Sequence, residues 1–221
     1  AETGTIANWT GSFSGVTSSD VSSGDYAFFR TGAATVYTTD LIPINSSKIY
    51  NLSGMFKSNG TGGLSKLYFG FIPYDEGQVY IDSIYVNTIV GTETTLYEDI
   101  LSTDKIVKVV NGTNWYILSH GRMAFNIDDS GEYNDLPNKN VSNSNITRVE
   151  NMGDYWEIEF NTNVGKSAPA GTKVRMHQSG GYQYDAASSV SIPSSWTNYN
   201  ALMTMESLRA TNDDQWRPGT K

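Results

Sequence analysis

Cysteine is absent from the 221 residues, and histidine occurs only twice. Without cysteine there is no disulfide, no thiolate metal site and no cysteine nucleophile, so stability must come from packing and from any bound ion. His120 and His177 stand in no H-x-x-x-H or H-E-x-x-H arrangement, which removes the usual zinc signature. Each is expected at a strand end or on the surface.

Basic residues are also scarce. Fifteen Lys and Arg face 23 Asp and Glu, a net charge of -8, and no Lys/Arg cluster is visible. No nucleic acid partner is therefore expected. No window approaches the about eighteen apolar residues needed to cross a bilayer, and no charged-then-apolar leader stands at the N-terminus, so no membrane insertion is expected. A G-x-S-x-G elbow, a G-x-x-x-x-G-K-[ST] loop and a dinucleotide fingerprint are all missing. Hydrolase and nucleotide-dependent functions lose their usual supports.

What is present is Gly, Ser, Thr, Asn and Tyr, a composition that favours strands joined by turns. The reading is an all-β chain. From Ile49 to Val86 it alternates strands with turn signals: IYNLSGMFK, the Ser58 to Gly63 loop, LSKLYFGFIPYD and QVYIDSIYV. Lys66 to Ile72 is almost wholly apolar and ends at Pro73, as expected of a strand buried on both faces. The texture changes at Gly91, after which Lys105 to Val110, Trp115 to Leu118, Arg122 to Ile127, Tyr155 to Phe160 and Thr172 to His177 read as short strands, with a helical turn over Thr95 to Leu101. Residues 91–181 therefore read as a small β subdomain inserted in a sandwich formed by 5–90 and 182–218. A strand at Trp196 to Tyr199 is expected to meet strands from the beginning.

AETG (1–4) and GTK (219–221) resemble residues that a mammalian secretion vector leaves around an insert, which implies a natural segment of about Thr5 to Pro218 and an extracellular or surface-displayed domain. Seven N-x-S/T sequons, the first at Asn8 and the last at Asn145, are glycan acceptors only in a eukaryotic secretory pathway.

NIDDSGEYND, Asn126 to Asp135, holds four carboxylates and two amides around one glycine. Three roles fit it. Asn126, Asp128 and Ser130 alternate before Gly131 as in the first half of a calcium loop, and Asp135 follows as a further hard ligand. The twelfth position is Pro137 rather than Glu, so this is no EF-hand. Acid and base for glycoside chemistry is the second role, for which Glu157 and Glu159 have better-defined geometry, since alternate strand residues share a face about 6 to 7 Å apart. Trp156, Ile158 and Phe160 would then fill the buried face. The third role is a turn opened by Asp and closed by Gly.

Aromatic rings that stack on sugars are the remaining chemistry. Gly180-Gly181-Tyr182-Gln183-Tyr184-Asp185 places two tyrosines beside an amide and a carboxylate, with Trp115 and Tyr133 as further ring candidates.

GDYAFFRTG (Gly24 to Gly32), IYNLSGMFKS (Ile49 to Ser58), KLYFGFIPYD (Lys66 to Asp75) and SWTNYNALM (Ser195 to Met203) resemble core motifs of jelly-roll carbohydrate-binding modules. Similar β-sandwich domains occur in phage tail and fibre proteins. NIDDSGEYNDLPN and PAGTKVRMHQSGGYQY are similar to insertions in extracellular bacterial and phage proteins of this architecture. The resemblance implies a jelly-roll β-sandwich with a non-catalytic sugar-binding role, often with structural calcium. A glycan or glycosylated surface is then the expected partner, with Tyr182, Gln183, Tyr184, Asp185, Trp115 and Tyr133 binding it and no catalytic residue. The alternative is a structural or host-attachment domain of a fibre, a homo-oligomer that binds protein partners. A glycoside-active enzyme ranks below both.

Overall fold

A computed structural model of the chain describes residues 4–60, 66–209 and 214–221. Ala1 to Thr3 of the expected vector remnant and Thr61 to Gly63 of the expected turn lie outside the described residues. The strands in chain order are β1 (Trp9–Gly11), β2 (Gly15–Thr17), β3 (Ala27–Phe29), β4 (Val36–Thr38), β5 (Tyr50–Phe56), β6 (Lys66–Phe71), β7 (Thr94–Thr95) and β8 (Ile106–Val109). They continue with β9 (Gly121–Phe125), β10 (Ile146–Asn151), β11 (Trp156–Phe160), β12 (Lys173–Gln178), β13 (Gln183–Ser191), β14 (Thr197–Met203), β15 (Met205–Glu206) and β16 (Gln215–Trp216). The protein is all-β, and one 3-10 turn, Ser83–Tyr85, is the sole helical element among the described residues.

Contacts divide the chain into two units. The first comprises Ala1–Asn45, Asn51–Gly70 and Tyr184–Ala201, and the second comprises Ser46–Tyr50, Phe71–Gln183 and Leu202–Lys221. The second unit contains the expected insert 91–181, but it begins ahead of the texture change at Gly91 and takes in Leu202–Lys221 as well.

Alternation builds the second unit. Two antiparallel three-stranded sheets, β10-β11-β8 and β7-β12-β9, send paired residues into one core. Val107 and Val109, Ile158 and Phe160, Met123 and Phe125, and Val174 and Met176 are each spaced by two, all at most 1% exposed and in a single cluster. Side chains at that spacing share one sheet face. Each such burial contributes roughly 2 kcal/mol.

The middle strand β12 is buried on its other face too, where Arg175 and His177 alternate with Val174 and Met176. Its neighbour β9 places Ala124 opposite Arg175, and Ala124, Ile127 and Val141 form a second apolar cluster with Ile84 and Tyr85. A polar network therefore sits between a sheet and its covering loops.

In the first unit, β1 pairs β4 and β2 pairs β3, both antiparallel. The strand order further joins β14 to β5 and β13 to β6, so the strand that begins at Thr197, just after Trp196, pairs with the Tyr50–Phe56 strand. Aromatic pairs such as Phe56 with Phe69 at 5.0 Å and Phe56 with Tyr199 at 6.0 Å hold this unit. Among its described residues, Leu67 and Ala187 are the buried apolar ones.

Three strand expectations are corrected. β6 is not buried on both faces: Leu67 is buried while Lys66 and Tyr68 are exposed, an ordinary alternation. Trp115 to Leu118 is irregular rather than a strand, because Trp115 Nε1 donates to Thr92 O at 2.8 Å and pins the loop. Gln78 to Val86 is one bridge, Tyr74 to Tyr80, followed by the 3-10 turn, which Asp82 caps by accepting from Ile84 N at 3.0 Å. Thr95 to Leu101 forms no helical turn.

The C-terminal residues are built into the second unit. Gly219 has φ +81, and a Cβ there would lie 2.8 Å from Pro137 Cδ, so only glycine fits without strain. Its N–H donates to Glu206 Oε1 at 2.6 Å, and Thr220 is 3% exposed with its hydroxyl donating to Arg217 O. The segment expected as a vector remnant at 219–221 therefore packs as part of the fold.

Candidate functional site

The acidic loop is tied down by nitrogen donors. Asp128 Oδ1 accepts from Ser130 N at 3.0 Å, and its Oδ2 accepts from Asn134 N at 3.0 Å and Asn134 Nδ2 at 2.9 Å. The Asn134 backbone N–H first, then Ser130, hold the Asp128 carboxyl well below the usual carboxylate range. Asp135 Oδ1 accepts from Asp128 N, and its Oδ2 accepts from Arg175 Nη2 and Asn138 Nδ2, both at 2.9 Å. Asp129 pairs with Lys173 at 2.6 Å.

The expected calcium ligands Asn126, Asp128, Ser130 and Asp135 do not fit a cation in this arrangement. Calcium requires several free oxygens converging on one point, whereas the Asp128 and Asp135 oxygens accept from N–H donors and the Arg175 guanidinium already pairs with Asp135. No group of three or more His, Cys, Asp or Glu converges among the described residues. The loop is a capped turn. Millimolar calcium is expected to leave the melting temperature unchanged, and Asp128→Ala to lower it by several degrees by removing three acceptor contacts. A calcium-dependent rise in wild type, lost in Asp128→Ala, would overturn this.

Behind the loop, Arg175 is 0% exposed. It donates to Asp135, to Asp128 O at 3.3 Å and to His177 Nε2 at 3.1–3.2 Å. His177 is buried rather than superficial, and its Nδ1 lies 2.8 Å from Ile84 O, which fixes the proton on Nδ1 and leaves Nε2 as acceptor. Burial, with the Arg175 charge second, pushes this imidazole down to about 4.

Tyr133 stacks on Arg175 at 5.1 Å and on Arg209 at 5.7 Å. Its ring is thus a lid over a cation. Trp115, 5% exposed with its N–H satisfied, belongs to the core and has no face for a ligand. Glu157 and Glu159 project opposite Ile158 and Phe160 and grip Arg148, at 3.0 Å and 2.7 Å, with Glu150 as a third partner. Glu159 first, then Glu157, raise the Arg148 pKa above its ordinary value.

Tyr182 and Gln183 come together elsewhere in the second unit. A cavity of about 330 Å³ is lined by Tyr74, Tyr80, Tyr182, Phe71, Gln183 and Arg217, among others. Tyr182 is 70% exposed, whereas Gln183 and Arg217 are buried at 7% and 2%. Gln183 Nε2 donates to Gln215 O at 3.0 Å, which sets the amide orientation. Arg217 donates to Ile81 O at 2.7 Å and Gly181 O at 2.8 Å. Gln183 Oε1 and Arg217 Nε are buried with no partner among the described residues. Buried polar atoms are rarely left so. The cavity thus sets aromatic faces beside two buried polar side chains, each with one atom unpaired among the described residues.

Tyr184 and Asp185 belong to the first unit, where Tyr184 packs on Tyr68 at 4.9 Å. The sequence reading overlooked Arg217. Its carbonyl partners lie 136 and 36 residues away along the chain, so no local pattern marks it.

No family model, no curated protein and no solved structure matches the chain.

Proposed function

We propose that this chain is a non-catalytic, extracellular glycan-recognition domain whose site is the cavity under Tyr182. The observation that carries the reading is the meeting of an exposed tyrosine with Tyr74 and Tyr80 around two buried polar side chains that retain unmade hydrogen bonds. Rings take the apolar face of a sugar, and fixed polar groups take its hydroxyls. Gln183 and Arg217 are the polar side chains that stand beside the rings.

A second reading has its own support. In the first unit Tyr37, Leu41 and Ile42 are 50%, 45% and 69% exposed, against two buried apolar residues among those described. Such a balance favours burial against further copies, as in a fibre or attachment domain. A glycan array with the purified domain, combined with light scattering, separates the two. Specific binding is expected, weakened about tenfold or more by Tyr182→Ala, the loss of one stacked ring and its contacts. Binding untouched by that substitution would sink the cavity as the site, and stable oligomers without glycan binding would favour the second reading.

A further inference from the structure

A second cavity of the same unit, about 450 Å³, gathers basic side chains in a chain whose net charge is -8. Arg122, Lys139, Lys166 and His120 line it, with Asp82 as the one carboxylate. Asp82 is already committed, accepting from Ile84 N at 3.0 Å and Ser83 Oγ at 3.2 Å. Lys139 pairs with Asp75.

The other two cations have no such partner. Arg122, half-buried on β9, donates to Ser142 O at 3.2 Å, and neither it nor Lys166 has a carboxylate within ion-pair distance among the described residues. Burial lowers the Arg122 pKa from its ordinary value, the mark of a guanidinium losing water without gaining a counter-charge. His120 adds a backbone with φ +60, a conformation that costs free energy in any non-glycine residue. Like charges drawn into one concavity repel, and their field attracts an anion.

We propose that this cavity is an anion-binding site for an oxyanion of the sulfate, phosphate or carboxylate type. Arg122 supplies the planar donor fork and Lys166 acts as a point charge, with Lys139 at the edge already paired to Asp75. Along the chain, Tyr80 and Tyr182 line the aromatic cavity while Asp82 and Ser179 line this one, so the same two segments serve both. The oxyanion thus has two sources, a free ion or an acidic group on a glycan.

The test is calorimetric titration of the whole chain with sodium sulfate, then with sulfated and unsulfated forms of one oligosaccharide. Saturable sulfate binding is expected, weakened about tenfold or more in Arg122→Gln and in Lys166→Glu, as for loss of a charge-assisted contact. The Lys166 side chain makes no hydrogen bond or ion pair among the described residues, so Lys166→Glu keeps the test valid if Arg122→Gln misfolds. Competition by the sulfated sugar alone identifies a glycan-borne group, and absence of competition with sulfate still bound identifies a free ion; both uphold the site. Tyr182→Ala is expected to bind sulfate as wild type, so a failed glycan array leaves the anion site standing. No saturable sulfate binding, or binding unchanged in Lys166→Glu, would overturn it.

Discussion

Asp135→Asn is expected to destabilise the second unit by about 3–5 kcal/mol, the range for removing one partner of a buried ion pair. Arg175 is fully buried, and Asp135, with a 9% exposed side chain, supplies its one carboxylate contact among the described residues. Its remaining acceptors are a carbonyl and an imidazole nitrogen, both neutral. Losing the carboxylate leaves a desolvated cation. It also weakens the contacts to Asp128 N and Asn138 Nδ2 that hold the turn. Urea denaturation followed by tryptophan fluorescence measures the change. The companion Asp135→Leu/Arg175→Met replaces the pair by apolar groups and should recover much of the loss, since the ion pair's own net contribution is small. A loss below about 1 kcal/mol in Asp135→Asn would show that Arg175 is solvated or otherwise neutralised.

The sequence made the strand pairs of the core visible because period-two alternation is local. Val107 and Val109, or Ile158 and Phe160, announce their buried face without any knowledge of the partner strand. The turn at Asp128 was legible for the same reason, since Ser130 and Asn134 lie within six residues of it. Trp115, by contrast, reads as a binding ring until its N–H is seen to meet Thr92, 23 residues earlier. His177 resembles a surface histidine in the run TKVRMHQ because alternation there conceals a strand covered on both faces. The cavity under Tyr182 was half legible: its glycine-rich flank marked an exposed ring, while Arg217 enters from the far end of the chain. Calcium followed from ligand types alone. Geometry gave those oxygens to backbone amides and to Arg175, a residue no loop motif would include.

Lowering the pH from 7 to 4 is expected to remove about 3 kcal/mol of stability through His177 alone, at about 1.4 kcal/mol per unit of pKa difference. The folded chain holds this imidazole neutral down to about 4, against an ordinary value of 6.5 in the unfolded chain. Between those values the unfolded chain binds the extra proton, so the contribution is full above pH 6.5 and falls steadily toward pH 4. Protonating Nε2 would aim an N–H at the Arg175 donors, and the buried Asp135 offsets that only in part. Asp128 acts in a lower window: its depressed carboxyl stabilises the fold above the unfolded value near 3.8 and loses that effect as pH falls through the folded one. Urea midpoints between pH 7 and 5 therefore isolate the histidine. His177→Gln, which keeps an acceptor for Arg175 but cannot titrate, should be less stable at pH 7 and nearly flat across that range. An equal slope in both proteins would place the titrating group elsewhere and dismiss His177 as its origin.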